Sequence, residues 1–192
     1  MFVVEYVAPN WSLEAASKDD GLERLLRDDE WDVAVLQERS FVPALPPDAR
    51  SVQMDRFAHA LKSRIDAAGA ETILFMTWGY EDGDEAAHRG DTFREMQERL
   101  GYGYSEVGRK LNVRVVPVGR AWAEAIRRAP GFDLWADDGR HPSRRGSYLT
   151  ACVFYAALAD RSPVGNKFTG GLSFAEATFL QGVAWDVADE YT

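Results

Sequence analysis

The sequence predicts an α/β fold in which a mostly parallel sheet is covered by helices on both faces. Short runs rich in Val, Ile, Leu and Phe alternate along the chain with longer segments whose apolar residues are spaced three and four apart. Three of the short runs are almost free of polar residues, which is typical of parallel strands buried on both faces. Repeated strand and helix units of this kind pack their helices against the two faces of one sheet.

Four runs are predicted to be strands. They are "FVVEYV" at residues 2–7, "DVAVL" at 32–36, "TILFM" at 72–76 and "VRVVPV" at 113–118, and the last three are expected to be buried. The carboxyl ends of parallel strands lie along one edge of a sheet, and ligands bind at that edge. We therefore look for functional side chains in the loops that follow these runs.

The segments between the strands have the apolar spacing of amphipathic helices. This spacing predicts helices around residues 22–26, 54–65, 93–111, 122–126 and 174–187. Pro142 and Ser143 form a typical helix start, because a proline in the first turn needs no partner for its nitrogen. The helix that follows, to Leu158, is apolar nearly all round and is predicted to be buried.

The composition indicates one globular domain and argues against several kinds of partner and site. A chain of 192 residues fits a single domain, 1–192, and 46% hydrophobic residues can form a packed core. The 22 basic and 31 acidic side chains leave a net charge of -9, which argues against nucleic acid as a partner. The single cysteine, Cys152, excludes an internal disulfide and a cysteine-based zinc cluster, and it is expected to be a core residue.

The sequence predicts no membrane partner. No apolar run approaches the ~20 residues of a membrane helix, and Met1 leads directly into a predicted strand without a signal peptide. The chain as given is therefore predicted to be soluble and cytoplasmic, and the compartment stays open because an upstream segment could carry a signal.

The stretch "LWADDGRHPSRRGSYLTACVFYAAL" contains the histidine that best fits a catalytic role. Asp138 lies three residues before His141 across a glycine-containing turn, so its carboxylate can reach the imidazole Nδ1 and stabilise the imidazolium. Asp137 takes this place if the turn is read one residue differently. His59 and His88 lie in a helical segment and a charged loop, where both are expected to be solvated.

A second candidate is Gln37, which directly follows an apolar strand. Its amide can donate hydrogen bonds to an oxyanion or to a sugar hydroxyl. The alternative is that Gln37 only caps its own loop.

Four blocks, in this order along the chain, resemble the SGNH/GDSL hydrolase superfamily, in particular a branch of bacterial esterases. They are "WDVAVLQERSFVP", "GAETILFMTWGY", "VPVGRAW" and "DDGRHPSRRGSYLTACVFYAAL", and the resemblance runs from about Val7 to the C-terminus. It implies a flavodoxin-like three-layer α/β/α sandwich that cleaves esters with a Ser–His–Asp arrangement and needs no metal and no cofactor.

The resemblance also implies roles for six residues. His141 matches the general base and Asp138 the residue that orients it. Gln37 stands where the superfamily supplies an oxyanion-hole amide, Ser40 belongs to the VLQ-x-x-S block with a role in the pocket, and Trp78 and Gly79 match a block that lines the pocket.

The nucleophile of the superfamily is the feature that the sequence lacks. That serine lies in a Gly-Asn-Ser or Gly-Asp-Ser block after the first, central strand, and neither tripeptide nor a GxSxG elbow occurs among the 192 residues. The domain is therefore predicted to be N-terminally incomplete, with 2–7 pairing directly with 32–36 in a four-stranded sheet. Its open edges predict poor stability or a homo-oligomer. Ser12 and Ser40, at strand ends, are the candidate replacements.

Three functional hypotheses follow. The first is a hydrolase domain for a small-molecule or carbohydrate ester, with its nucleophile outside this chain. The second is a non-catalytic module that holds a carbohydrate or acyl ligand on aromatic side chains, namely Trp11, Trp78, Tyr80 and Trp122. The third is a metal-assisted hydrolase that uses Asp137, Asp138 and His141.

Overall fold

The computed structural model describes residues 3–189, and its centre is a parallel sheet between two layers of helices. The sheet has three strands in the order β1-β2-β3, namely β1 Val33–Leu36, β2 Glu71–Phe75 and β3 Arg114–Val116. Leu36 pairs with Leu74, which pairs in turn with Val115 on the other side. The α/β class, the parallel sheet and the covering of both faces are as the sequence predicted.

The helices follow the predicted segments closely. In chain order they are α1 Leu13–Ser17, α2 Asp20–Asp28, α3 Pro47–Arg50, α4 Arg56–Ala67, α5 Phe93–Leu111, α6 Val118–Arg128, α7 Arg144–Ala159 and α8 Phe174–Asp189. A 3-10 turn at Val42–Ala44 and a π turn at Ser51–Asp55 flank α3. Within residues 3–189, no helix has both the length and the apolar character to cross a membrane.

Two hydrophobic layers hold the sheet between them. Leu74 and Met76 pack with α1, α4 and α5 on one face, and Ile73 and Val116 pack with α6, α7 and α8 on the other. Neighbouring residues in a strand point to opposite faces, and both Ile73 and Leu74 are completely buried. β2 is therefore the central strand, and burying each such side chain contributes about 1.5–3 kcal/mol.

The predicted first strand is wrong for the described part of the chain. Phe2 lies outside the described residues, and 3–7 form no strand, with Val3 and Val7 each 70% exposed. The hydroxyl of Tyr6 donates to Asp19, which holds the segment beside the start of α2. Within residues 3–189 the sheet thus has three strands, and the predicted four-stranded sheet is wrong.

β1 is an edge strand as a consequence. Within the described residues it bonds to β2 alone, and Val35 is 42% exposed, so the predicted burial of this strand on both faces is wrong. β3 is also shorter than predicted, because α6 begins at Val118 and Gly119 N–H donates to the Met76 carbonyl. Burial on both faces is confirmed only for the middle of β2.

The start of α7 differs slightly from the predicted start. Ser143 is the N-cap, and its Oγ accepts from the N–H groups of Arg145 and Gly146, so Pro142 precedes the cap instead of lying in the first turn. The predicted burial of the whole helix is also wrong, because Tyr155 and Leu158 are 39% and 38% exposed. The buried side of α7 faces α6 and α8.

Gly146 allows α7 to pack closely at its first turn. A Cβ at this position would lie 2.3 Å from the Leu134 carbonyl oxygen and 2.6 Å from the Trp122 ring. We expect Gly146→Ala to lower the free energy of unfolding by about 1–3 kcal/mol in urea denaturation, because the backbone and the ring must move apart.

Gly182 in α8 provides the matched control, since a Cβ there would meet nothing within 4 Å. Gly182→Ala is expected to leave stability unchanged or to raise it by up to about 1 kcal/mol. Equal effects of the two substitutions would contradict this account of the packing.

Candidate active site

Two loops meet beside the carboxyl end of β2. The first is 76–92, which leaves β2, and the second is the turn 134–143, which joins α6 to α7. The N–H of Glu81 donates to the carbonyl of Gly139 at 2.9 Å, so the loops touch directly. Trp78 and Gly79 of the first loop and Asp138 and His141 of the second are thereby brought together.

Asp138 and His141 form the pair that their spacing predicted. Asp138 Oδ2 lies 2.5 Å from His141 Nδ1, and Asp138 Oδ1 accepts from the N–H groups of Arg140 at 3.0 Å and His141 at 2.9 Å. Gly139 takes φ +65 between them, a left-handed conformation that costs glycine little. Asp137 is exposed and makes no contact with His141 in the described residues, so the alternative reading of the turn is not supported.

The base of the turn is a short antiparallel bridge between Trp135 and Pro142. Ala136 N–H donates to the His141 carbonyl at 2.8 Å, and Ser143 N–H donates to the Leu134 carbonyl at 2.8 Å. The backbone on both sides of the pair is therefore fixed, although the two side chains reach into solvent.

The electrostatics of the pair suit a general base. Hydrogen bonding to the His141 imidazole, and then to two backbone N–H groups, holds the pKa of Asp138 well below its usual value. An ionised carboxylate at Nδ1 favours the tautomer that carries its proton there, so Nε2 is left as the proton acceptor. The His141 side chain is 81% exposed, and Nε2 is accessible to a reacting group.

Metal chemistry finds no support at this turn. No three histidine, cysteine or acidic residues among 3–189 lie close enough together to hold a metal ion, so the predicted alternative set of Asp137, Asp138 and His141 is not assembled.

Gln37 and Ser40 lie in the loop after β1, as predicted, but make few contacts. Gln37 is exposed and Ser40 is half-buried, and neither side chain forms a hydrogen bond within the part of the chain that the structure describes. The oxyanion role of Gln37 and the pocket role of Ser40 stay predictions. The other candidate serine, Ser12, caps α1 by accepting from Ala15 N–H at 3.2 Å, and it makes no contact with His141.

Glu38 is buried in this loop, and it was not predicted to be a functional residue. Its side chain is 0% exposed, and its two oxygens accept from Leu13 N–H at 3.1 Å and from Arg39 N–H at 2.7 Å. Glu38 thus ties the start of α1, and with it Ser12, to the carboxyl end of β1. Burial raises the pKa of this carboxyl, and the backbone N–H groups oppose the rise only in part. A glutamate beside Gln37 and Arg39 gave no sequence signal for burial.

The aromatic residues have a different role from the predicted one. Trp122 is completely buried, and Trp78 stacks on it with ring centroids 4.2 Å apart and planes at 2°. Tyr80 is covered by the Arg140 guanidinium, 4.9 Å from its ring centroid. Trp122 therefore cannot contact a ligand, and the predicted four-ring pocket is wrong in this respect.

Gly79 is buried, and its role in lining a pocket stays a prediction. Its N–H donates to Gln97 Oε1 at 2.9 Å, and its carbonyl accepts from Trp135 Nε1 at 3.0 Å. A Cβ at this position would lie 3.2 Å from the Phe93 ring, so the glycine allows a close approach of α5.

A groove of about 450 Å³ lies between residues 44–47 and the first turns of α5. His88, Glu98 and Tyr102 are among its lining residues, and none of the six predicted site residues is.

Two solved structures have folds similar to that of this chain. No family model and no curated protein matches the sequence. A DUF4886 family protein from Bacteroides uniformis ATCC 8492 is similar in structure, with a TM-score of 0.73 and 21% identity over 86% of this chain and 65% of its own. A candidate SGNH hydrolase from Slackia heliotrinireducens has a TM-score of 0.61 and 26% identity over 73% of this chain and 76% of its own.

These similarities confirm the predicted SGNH hydrolase fold. This chain spans just under two thirds of the length of the Bacteroides protein.

The raised pKa of Glu38 predicts a pH-dependent contribution to stability. A carboxyl whose folded pKa is raised favours the folded state below its unfolded pKa, and this advantage is lost as pH rises through the folded pKa. Glu38→Gln keeps an acceptor oxygen and removes the charge. We therefore expect the free energy of unfolding of the variant, relative to wild type, to increase between pH 4 and pH 7 in urea titrations. A difference independent of pH would contradict the buried carboxylate.

A second prediction concerns the tautomer of His141. In wild type the ¹⁵N shifts of the neutral imidazole should show the proton on Nδ1, because Asp138 accepts it. Asp138→Asn should shift the proton to Nε2, whereas Asp137→Asn, at the neighbouring exposed carboxylate, should leave the tautomer unchanged. Equal responses of the two variants would show that Asp138 does not orient the ring.

Proposed function

We propose that this domain belongs to an SGNH-type acyl hydrolase and supplies its general base. The observation that carries the proposal is the 2.5 Å contact between Asp138 and His141 Nδ1, which leaves an exposed Nε2 at the carboxyl end of a parallel sheet. A buried or surface-capping histidine would need no carboxylate placed at one ring nitrogen and open space at the other. The structural similarity to a candidate SGNH hydrolase also supports the interpretation of His141 as a general base.

In the proposed reaction, a serine hydroxyl attacks the acyl carbon of an ester. His141 Nε2 takes the hydroxyl proton as the O–C bond forms, and Asp138 stabilises the resulting imidazolium. The imidazolium then gives this proton to the leaving alcohol oxygen as the ester C–O bond breaks. Water repeats the two steps on the acyl-enzyme, with His141 again as base and then as acid, and releases the carboxylic acid.

The nucleophile is proposed to come from a segment outside these 192 residues. Two observations support this part of the proposal. No serine hydroxyl among residues 3–189 contacts His141, and β1 has an open edge on which a further strand could pair. Gln37 leaves that same strand and is exposed, so its amide is free to donate to an oxyanion.

A small-molecule or carbohydrate ester is the proposed substrate. The His141 side chain is 81% exposed, and neither Asp138 nor His141 lines the groove of about 450 Å³, so the proposal does not rely on a deep acyl-binding cavity. A short acyl group on a soluble alcohol or sugar needs no such cavity, and it fits an exposed base.

Labelling with a fluorophosphonate tests the origin of the nucleophile. In the 192-residue chain we expect no stoichiometric adduct by intact mass, because Ser12 caps a helix and Ser40 lies without a base. An adduct that disappears in both His141→Ala and Ser12→Ala, or in both His141→Ala and Ser40→Ala, would place the nucleophile inside the chain.

The hydrolase proposal is tested by extending the chain at its N-terminus with a β-strand that ends in Gly-Asp-Ser. The extended protein should hydrolyse p-nitrophenyl acetate, and His141→Ala should lower kcat/KM by about 10²–10⁴-fold, the usual contribution of a general base. His59→Ala, at an exposed histidine of α4, is the matched control and should have no effect. A folded extended protein that neither labels nor hydrolyses would overturn the proposal.

A further inference from the structure

Three hydrogen bonds fasten the histidine turn to the loop after β2. Trp78 Nε1 donates to the Arg140 carbonyl at 2.9 Å, Glu81 N–H donates to the Gly139 carbonyl at 2.9 Å, and Trp135 Nε1 donates to the Gly79 carbonyl at 3.0 Å. Two of the donors are indole N–H groups, which cannot act as acceptors. The bonds run in both directions between the loops, so neither loop can shift without breaking at least one of them.

The tip of the turn depends on this attachment. Its base is fixed by the bridge at Trp135 and Pro142, whereas the side chains of Asp138 and His141 are 48% and 81% exposed. Among the described residues, the peptide carbonyls of Gly139 and Arg140 are held from outside the turn by the loop 78–81 alone. These two carbonyls belong to the two residues that separate the carboxylate from the imidazole.

The direction of the Trp78 donor is set by the core. The Trp78 ring lies flat on Trp122, which is completely buried and meets Trp135 edge to face, with centroids 5.3 Å apart. The first turn of α7 presses on the same Trp122 ring at Gly146. Trp78 therefore connects a rigid part of the core to an exposed turn through one directional bond.

We propose that Trp78 is a positioning residue, whose indole N–H holds the Arg140 peptide and thereby keeps the His141 ring in register with Asp138. This inference rests on the proposed function, because the orientation of the ring matters only if His141 is a base. Trp78 forms no hydrogen bond with the His141 imidazole or the Asp138 carboxylate. It therefore acts on the pair through the Arg140 peptide. Rotation of the Arg140 peptide would swing His141 away from the carboxylate that fixes its tautomer.

The test is the tautomer of His141 in Trp78→Phe, measured by ¹⁵N NMR of the histidine-labelled 192-residue chain. Phenylalanine keeps an aromatic ring on Trp122 and removes the donor. The ratio of the Nδ1–H to the Nε2–H form should fall on the order of tenfold, the size expected for the loss of one hydrogen bond.

Trp31→Phe is the matched control, since Trp31 Nε1 also donates to a backbone carbonyl, that of Leu25, at 2.9 Å. Trp31 packs in the opposite hydrophobic layer, so its substitution should leave the His141 tautomer unchanged. A Trp78→Phe protein whose tautomer ratio equals that of wild type would overturn the positioning role. A wild type without the Nδ1–H form would instead overturn the proposed base, so the two failures are distinguishable.

If Trp78→Phe does not fold, hydrogen exchange at Trp78 Nε1 of the wild-type protein provides the test. The Trp78 ring is only half-buried, so slow hydrogen exchange at its Nε1 requires the bond to the Arg140 carbonyl. Protection of that proton supports the positioning role, and exchange at the rate of free indole contradicts it.

Discussion

The pairing of β2 with strands on both sides is the constraint on which the rest of the structure depends. Ile73 and Leu74 are completely buried on opposite faces, and each belongs to a separate hydrophobic layer. One short strand therefore joins the two halves of the core, and its direction decides where the following loop emerges. Because β2 is central, the loop that contains Trp78 leaves the sheet between the two neighbouring strands and can reach the turn before α7. Both the fold and the candidate site follow from this placement.

Tryptophan rings of the core hold the exposed turn of His141 in place. A hydrogen-bonded pair as exposed as Asp138 and His141 contributes little to stability, because solvent screens its charges. Beneath the turn, the half-buried Trp78 ring contacts the buried Trp122, which also contacts Trp135, and these contacts orient two indole donors towards backbone carbonyls. The core thus holds the turn from outside, in addition to the bridge at its base and the bonds that Asp138 accepts within it.

Local features of this protein could be predicted from sequence, and features that need a distant partner could not. Asp138 and His141 are three residues apart, so a single turn brings them together, and their spacing alone was informative. The bond from Trp78 Nε1 to the Arg140 carbonyl joins residues 62 apart, and the bond from Leu13 N–H to the Glu38 carboxylate joins residues 25 apart. Neither was foreseen, because the carbonyl or N–H partner of such a bond has no side-chain signature.

The same distinction explains the incorrect strand. Residues 3–7 have the composition of a strand, as residues 72–76 do, but composition expresses only a preference for a pleated, half-buried surface. A strand also needs a neighbour, and within the described residues only the outer edges of β1 and β3 are unpaired. Tyr6 instead bonds to Asp19 and packs on Trp11, which fixes the segment beside the start of α2.

The open edge of β1 and the open face of His141 are related physically. β1 leads directly into the loop of Gln37 and Glu38, and Glu38 ties the start of α1 to this same place. A strand added beside β1 in parallel would end at the same edge of the sheet as Gln37, because parallel strands share their carboxyl edge. It would thus bring its following loop to the edge at which Nε2 of His141 is free. Under the proposed function, a strand in this position would cover the edge at which Val35 is 42% exposed and would place its loop beside the Asp138–His141 pair.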